Sequence, residues 1–297
     1  MQVFELSAGV ETAADDSAQQ SRLCLVCNER MSRPLDWLYR CPSCRFEQST
    51  LLPGAGRGIE GLETLRRKNF RTIISVLRGL RPLKGLKCLE VGCAEGWFIE
   101  EMRETGALTS AIEASDQALD LQRRGVDVIH GFFPQVLPDE ARFDLIVFND
   151  VFEHLPDPVA AIGKCEHHLN DDGLLVMNLP NRRGFFYRTA TALSRIGVRG
   201  PLARMWQKGF ASPHLTYFSD DILERFVSRN TSLRRVSRFY LPSIVRDGLE
   251  QRIGASHGKL ASKVMSLGIG VLMPFIKTMP QDIMVFVFRK PAAHPMP

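Results

Sequence analysis

One stretch of this sequence restricts the fold more than any other. Lys87-Cys-Leu-Glu-Val91 has the composition of a buried strand, Gly92-Cys-Ala-Glu-Gly96 is a glycine turn, and Trp97-Phe-Ile-Glu-Glu-Met102 continues at helical spacing. Strand, turn and helix in direct succession build a crossover unit, which belongs to a mostly parallel sheet with helices on both faces. Gly92 lets the backbone turn sharply, and Gly96 lets a ligand or the helix approach closely. The helix N-terminus then favours a negative group on that ligand. Ala94 occupies the place of the second glycine of G-x-G-x-x-G, and Trp97 and Phe98 follow Gly96. That argues against a dinucleotide, whose pyrophosphate needs bare backbone. A second strand, Leu108 to Ala114, carries Glu113 near its end, 21 residues after Gly92, where a carboxylate can accept both hydroxyls of a ribose.

Glu90-Val-Gly-Cys-Ala-Glu-Gly96 resembles motif I of the class I S-adenosylmethionine (SAM)-dependent methyltransferases, an acidic residue followed by a glycine-rich turn. Glu113 matches the acidic residue with which that family holds the ribose. Phe143-Asp-Leu-Ile-Val-Phe-Asn-Asp-Val-Phe-Glu-His-Leu-Pro-Asp-Pro158 is similar to the fourth strand and following helix start of the subgroup that includes ubiquinone-biosynthesis O-methyltransferases. Gly173-Leu-Leu-Val-Met-Asn-Leu-Pro-Asn181 resembles that subgroup's fifth strand, and Pro213-His-Leu-Thr-Tyr-Phe-Ser219 a loop common in it. The resemblance covers about residues 84–290. It implies an α/β, Rossmann-like class I methyltransferase sheet, mostly parallel with the last strand antiparallel, and S-adenosyl-L-methionine as cofactor. Glu90, Gly92, Cys93, Ala94, Gly96, Glu113 and Asn149 are the expected cofactor residues. Two departures stand out. Ala94 replaces a glycine, which a negative φ would make tolerable. Where the family often has an acidic residue after the third strand, this chain reads His130-Gly-Phe-Phe133, so Phe132 or Phe133 is expected to line the adenine face.

Four of the seven cysteines form Cys24-x-x-Cys27 and Cys41-x-x-Cys44. Two such knuckles aim four thiolates at one point, the tetrahedral set that zinc prefers, with Asn28 to Arg40 as the hairpin or loop of a zinc ribbon. Four protein ligands close the coordination sphere, so the expected metal is a structural zinc ion. Trp37, Leu38, Tyr39 and Phe46 are expected to pack around it, and Cys88 reads as a small core residue. The reading divides the chain into a lead-in at 1–21, the zinc module at 22–50, a linker and helix at 51–83, the methyltransferase domain at 84–290 and a tail at 291–297. The helix runs from about Leu62 to Arg78 with Gly79 as its stop, after a linker holding Gly54, Gly56, Gly58 and Gly61. Leu233–Leu241 and Asp282–Phe288 close the sheet as a hairpin, and 181–212 is an insertion on the acceptor side.

The lead-in lacks the basic start and apolar core of a signal peptide, which points to a cytoplasmic location. Val264 to Ile276 is apolar but shorter than a membrane span and interrupted by Pro274. It reads as a core or lid helix, with shallow membrane contact as the alternative. Arg22 to Lys87 holds 14 Lys/Arg against 5 Asp/Glu, and Gly173 to Ser219 has no acidic residue. Such flanks suit an anionic partner, whether a phosphorylated small molecule, a lipid headgroup or RNA.

Methyl transfer from a sulfonium is an in-line displacement, so the protein mainly aligns the acceptor, and a base is needed only if the acceptor must lose a proton. The candidate catalytic residues are Asp150, His154 and His214. Asn149 and Asp150 end the fourth strand, where an open parallel sheet places ligand contacts. Glu153 and His154 offer a base or a metal contact together with Asp150, or else cap the helix near Pro156. His214 is the other candidate base, with a structural hydrogen bond as its alternative, and His167 and His168 read as surface residues. Three functions stay open: O-methylation of a small-molecule, sugar or lipid-linked acceptor; RNA methylation; and a non-catalytic zinc-ribbon scaffold.

Overall fold

The computed structural model describes residues 22–56, 61–244 and 278–292. The lead-in, Gly58 and the Val264–Ile276 segment lie outside the described residues. Among the described residues no helix is long and apolar enough to cross a membrane.

Three short strands come first: β1 (Ser32–Leu35), β2 (Leu38–Arg40) and β3 (Glu47–Ser49). Then α1 (Glu63–Leu80) leads into β4 (Lys87–Val91), α2 (Trp97–Arg103), β5 (Leu108–Glu113), α3 (Gln117–Arg123), β6 (Val128–His130) and β7 (Phe143–Asn149). A 3-10 turn (Phe152–His154), α4 (Pro158–His168) and β8 (Leu169–Pro180) follow. The insertion at 181–212 carries α5 (Phe185–Arg195) and α6 (Gly200–Met205), after which β9 (Thr216–Tyr217), α7 (Asp220–Asn230), β10 (Arg234–Leu241) and β11 (Ile283–Arg289) follow.

The central sheet has seven strands in the order β10-β11-β8-β7-β4-β5-β6. β4 pairs in parallel with β5 and β7, and β11 is antiparallel to both β8 and β10. This is the expected Rossmann-like sheet with its late antiparallel strand. Strands covered on both faces are continuously apolar rather than alternating, and Leu145–Phe148, Leu174–Met177 and Met284–Phe288 are all buried. Phe70, Ile73, Ile74 and Leu77 of α1 cover one face with Phe98 and Met102 of α2. Ile162 and Cys165 of α4 and Phe226 and Val227 of α7 cover the other. α1 runs through Gly79 rather than stopping there: Arg81, which precedes Pro82, is forced to extended backbone (φ −165°, ψ 157°) and ends the helix.

The N-terminal strands do not stand apart from the main domain. They form a four-stranded sheet in the order β1-β2-β3-β9, in which Glu47 and Gln48 pair with Tyr217 and Thr216. The segment read as a free linker is docked too. Gly54 N–H donates to Phe210 O at 2.7 Å, and Gly56 N–H to Gly209 O at 2.9 Å. A Cβ on Gly54 would lie 2.3 Å from Gly209 O, so this glycine serves close backbone approach rather than flexibility. Trp37 and Leu38 also depart from expectation. They pack with Tyr187 and Trp206 of the insertion and with Tyr217 of β9, while Phe46 and Tyr39 pack on the cysteine side.

Candidate active site

β4 ends at Val91 and the chain turns at Gly92 (φ 72°), whose N–H donates to Ile112 O at 2.7 Å. A Cβ on Gly92 would meet Val151 Cγ2 at 2.6 Å, so glycine is required for space as well as for φ. Cys93 is buried, and Ala94 has φ 45°, so the negative φ that would make the replacement of glycine tolerable is not adopted. Glu113 supplies the reason. Its Oε2 accepts Ala94 N–H at 2.8 Å and its Oε1 accepts Ser115 N–H at 2.9 Å. A hydrogen bond to a buried carboxylate offsets the roughly 1 kcal/mol that the left-handed region costs an L-residue. Gly96 (φ 79°) then opens α2.

Glu90 lies beneath this loop, buried, and accepts Asn149 Nδ2–H at 2.8 Å; Asn178 donates to Asn149 Oδ1 at 3.3 Å. Burial pushes the Glu90 carboxyl up to about 8, against the smaller opposing pull of Asn149 and Arg66. Of the two aromatics proposed for adenine, Phe133 is committed to the core, its ring edge-on to Phe148 at 5.6 Å. Phe132 is 72% exposed.

Beside the carboxyl ends of β7 and β8 lies a cavity of about 320 Å³, lined mostly by apolar atoms. Asp150, Glu153, His214 and Tyr217 reach it from one side, Arg66 and Phe70 from α1, and Phe186 and Met205 from the insertion. Asp150 has φ 55°, a strained backbone of the kind that collects at ligand sites, and pairs with Arg66 at 3.5 Å. Glu153 is buried, and desolvation followed by the Asp150 charge raises its carboxyl well above the ordinary range.

His154 and His214 stack edge to face with ring centroids 4.8 Å apart. His154 Nδ1–H donates to Pro213 O at 2.9 Å, which leaves the lone pair on Nε2. Gln207 Nε2–H donates to His214 Nε2 at 3.0 Å, and Glu153 Oε1 lies 4.0 Å from that nitrogen. Burial lowers both imidazole pKa values, and the neighbouring His154 lowers His214 further. Both rings are therefore neutral near pH 7, the form that a base or a metal ligand needs. Ligand atoms of Glu153, His154 and His214 lie within 4.8 Å of one another, so the trio could hold a cation. His154 does not reach the cavity wall, whereas His214 does.

His168 corrects the surface reading: it is buried, and its Nδ1 bonds Ala141 O at 2.9 Å because the last turn of α4 packs down onto the segment before β7. His167 is exposed beside Asp139.

The cysteines converge as their spacing requires. Cys24 and Cys44 Sγ lie 3.4 Å apart, as do Cys27 and Cys41 Sγ, and all four sulfurs are within 4.8 Å of one another. Thiolates held about 2.3 Å from one tetrahedral zinc ion sit about 3.8 Å apart, so the set fits the metal. Burial pushes the Cys24 thiol up to about 11, a cost that a bound divalent cation reverses.

Residues 62–230, more than half of the chain, match the family described as Methyltransferase domain. The chain belongs to that family. The chain is 31% identical over 130 residues to a ubiquinone biosynthesis O-methyltransferase of Maricaulis maris, covering 41% of this chain and 50% of that protein. It is 32% identical over 117 residues to the ubiquinone biosynthesis O-methyltransferase of Glaesserella parasuis, covering 35% of this chain and 50% of that protein. The chain thus spans about half the length of the curated relatives it matches. Among solved structures, the cyclopropane synthase MmaA2 of Mycobacterium tuberculosis superposes with a TM-score of 0.52 at 15% identity, covering 74% of this chain and 84% of that one. At that identity the likeness establishes a shared methyltransferase-type fold.

The expected basic acceptor surface is partly consumed within this methyltransferase domain. Arg182 pairs with Glu47 at 2.9 Å, and Arg183 pairs with Asp220 at 2.8 Å and Asp221 at 3.0 Å. Two of the cations that suggested an anionic partner therefore pair with carboxylates of the same chain. Sequence reasoning missed Arg66 and Asp282, which line the cavity and carry no local signature because each arrives from a distant segment, and it quoted Tyr217 only as part of the 213–219 loop.

Proposed function

We propose that this chain transfers the methyl group of SAM to a hydroxyl of a small-molecule acceptor held in the cavity between α1 and the insertion. One observation carries the reading. The Glu113-braced glycine loop and a half-open, largely apolar cavity with a neutral histidine in its wall occur together at the carboxyl ends of the parallel strands. Gly92, Cys93, Ala94 and Gly96 would cradle the cofactor, Glu113 would accept its ribose hydroxyls, and Phe132 would cover its base. Bound SAM supplies an activated methyl on a sulfonium. The chain's own work is to exclude water and hold the acceptor oxygen in line.

His214 would take the acceptor proton on Nε2, the acceptor hydroxyl replacing Gln207 Nε2–H as the partner of that nitrogen, with His154 and Glu153 behind it. We further infer that Cys24, Cys27, Cys41 and Cys44 hold one structural zinc ion that keeps residues 22–50 folded against the domain at 84–290. Support for O-methylation comes from the named activity of the two curated relatives and from the apolar cavity, which fits a hydroxylated ring or chain better than a polymer backbone.

The test uses purified protein, methyl-tritiated SAM and a lysate of cells lacking the protein, with Glu113→Ala as control. Label in the solvent-extractable small-molecule fraction, lost in the variant, is the expected result. Label in nuclease-sensitive material would replace the reading with RNA methylation. No label together with no SAM binding by calorimetry would leave only the scaffold.

A further inference from the structure

We propose that Glu47, a residue of the cysteine module, is the positioning residue for the acceptor-side wall of the cavity; this rests on reading that cavity as the acceptor site. Glu47 lies in β3, three residues beyond Cys44, and is completely buried. A carboxylate cannot remain ionised there without compensation. Three groups supply it: Arg40 on β2, Arg182 Nε at 2.9 Å and the Tyr187 hydroxyl on α5, while the Glu47 backbone pairs with Tyr217. Tyr187 Oη in turn accepts Trp206 Nε1–H at 3.1 Å. Trp206 itself is fully buried and packs on Tyr217 with ring centroids 5.1 Å apart.

The consequence lies in what these partners adjoin. Phe186 precedes Tyr187, Met205 precedes Trp206 and Gln207 follows it, and all three line the cavity together with Tyr217. The insertion therefore contacts the cavity through residues whose immediate neighbours converge on one carboxylate. The next module residues extend the same control. Ser49 Oγ–H donates to His214 O at 2.6 Å and Ser49 N–H to Leu215 O at 2.8 Å, which fixes the loop bearing the candidate base. Besides the bonds from Phe185 and Phe186 N–H to Pro280 and Asp282, the two helices are thus tied to a strand of the cysteine module. A single carboxylate can hold three elements because charge-assisted bonds are directional and, in a dry interior, strong. None of these atoms touches the cofactor loop, so the effect belongs to the acceptor side alone.

The test exploits the three tryptophans of the chain. In a Trp37→Phe/Trp97→Phe background Trp206 is the sole emitter. Glu47→Gln keeps the side-chain shape but removes the charge, and is expected to raise acrylamide quenching of Trp206 by about threefold or more. With methyl-tritiated SAM and the solvent extract as probe, the half-saturating extract concentration should rise about tenfold while the limiting rate changes less than about threefold. SAM affinity should stay within about twofold and zinc content unchanged, a split that general destabilisation would not give.

Tyr187→Phe deletes only the hydroxyl linking Glu47 to Trp206, leaves the ion pairs, and should move both readouts the same way by a smaller factor. It decides the matter if Glu47→Gln does not fold. Trp206 remaining shielded in every folded variant would overturn the role of Glu47, as would parallel loss of SAM affinity. Absence of label with the unaltered protein would instead refute the acceptor reading, while the fluorescence result still judges Glu47.

Discussion

Replacing Glu90 by glutamine should stabilise this protein, and increasingly so as the pH rises. Glu90 sits under the glycine loop, and burial raises its carboxyl from 4.5 to about 8. A group whose folded-state value is raised keeps its proton in the native state while the unfolded chain releases it. The native state then binds more protons between pH 4.5 and 8, so stability falls with rising pH across that window. Each unit corresponds to about 1.36 kcal/mol, so by pH 7 the native state has lost on the order of 3 kcal/mol relative to pH 4, and more by pH 8. Glutamine reproduces the protonated form: it is neutral, nearly the same shape, and its carbonyl still accepts from Asn149. At pH 4.5 the two proteins should therefore have similar stability. At pH 8 the variant should be more stable by on the order of 4 kcal/mol, which for a chain of this size is a rise of about 8–16 °C in midpoint. Thermal and urea unfolding followed by circular dichroism at pH 4.5, 6, 7 and 8, without cofactor, measures this. Taking the difference between the proteins cancels every other titrating group. A stability difference that is constant with pH, or that grows toward low pH, would refute the argument.

Three further outcomes follow from the geometry. Ala94→Gly should stabilise the apo protein by about 0.5–1 kcal/mol, because the residue sits at positive φ, and chemical denaturation checks it. Chelation should release one zinc ion per chain, read with a metallochromic dye. It should expose Trp206, because the β3–β9 ladder loses its anchored strand. With His214 lowered well below its ordinary value and His154 lowered too, the base is already deprotonated near neutrality, so the transfer rate should rise with pH only in acid and be flat from about pH 6.5 upward. His214→Ala should lower that plateau by about 10²-fold in initial-rate assays, and an unchanged plateau would remove it from the mechanism.

The glycine loop was legible in the sequence because everything it needs is local. A run of buried strand residues, a glycine where φ must be positive, a helix at 3.6-residue spacing and an acid at the end of the next strand all lie within the segment from Lys87 to Glu113. The cysteine cluster was legible for the same reason, since two short knuckles carry their own geometry. Ala94 marks the limit of such reading. Its sequence position suggested an ordinary backbone, but the Glu113 carboxylate bonds its N–H and holds it left-handed.

By itself the sequence determined the class of sheet, the strand–glycine turn–helix unit and the convergence of four thiols, all of which depend on residues close together along the chain. Only the tertiary structure decided that the cysteine module is part of the domain rather than an appendage. The pairing of Glu47 with Tyr217, the bond from Tyr187 to Glu47 and the docking of Gly54 on Phe210 join segments more than a hundred residues apart. A two-residue strand such as Thr216–Tyr217 has no periodicity to announce it. It forms because a neighbouring edge strand offers unsatisfied backbone groups, and burying those groups unpaired would cost more than ordering the two residues.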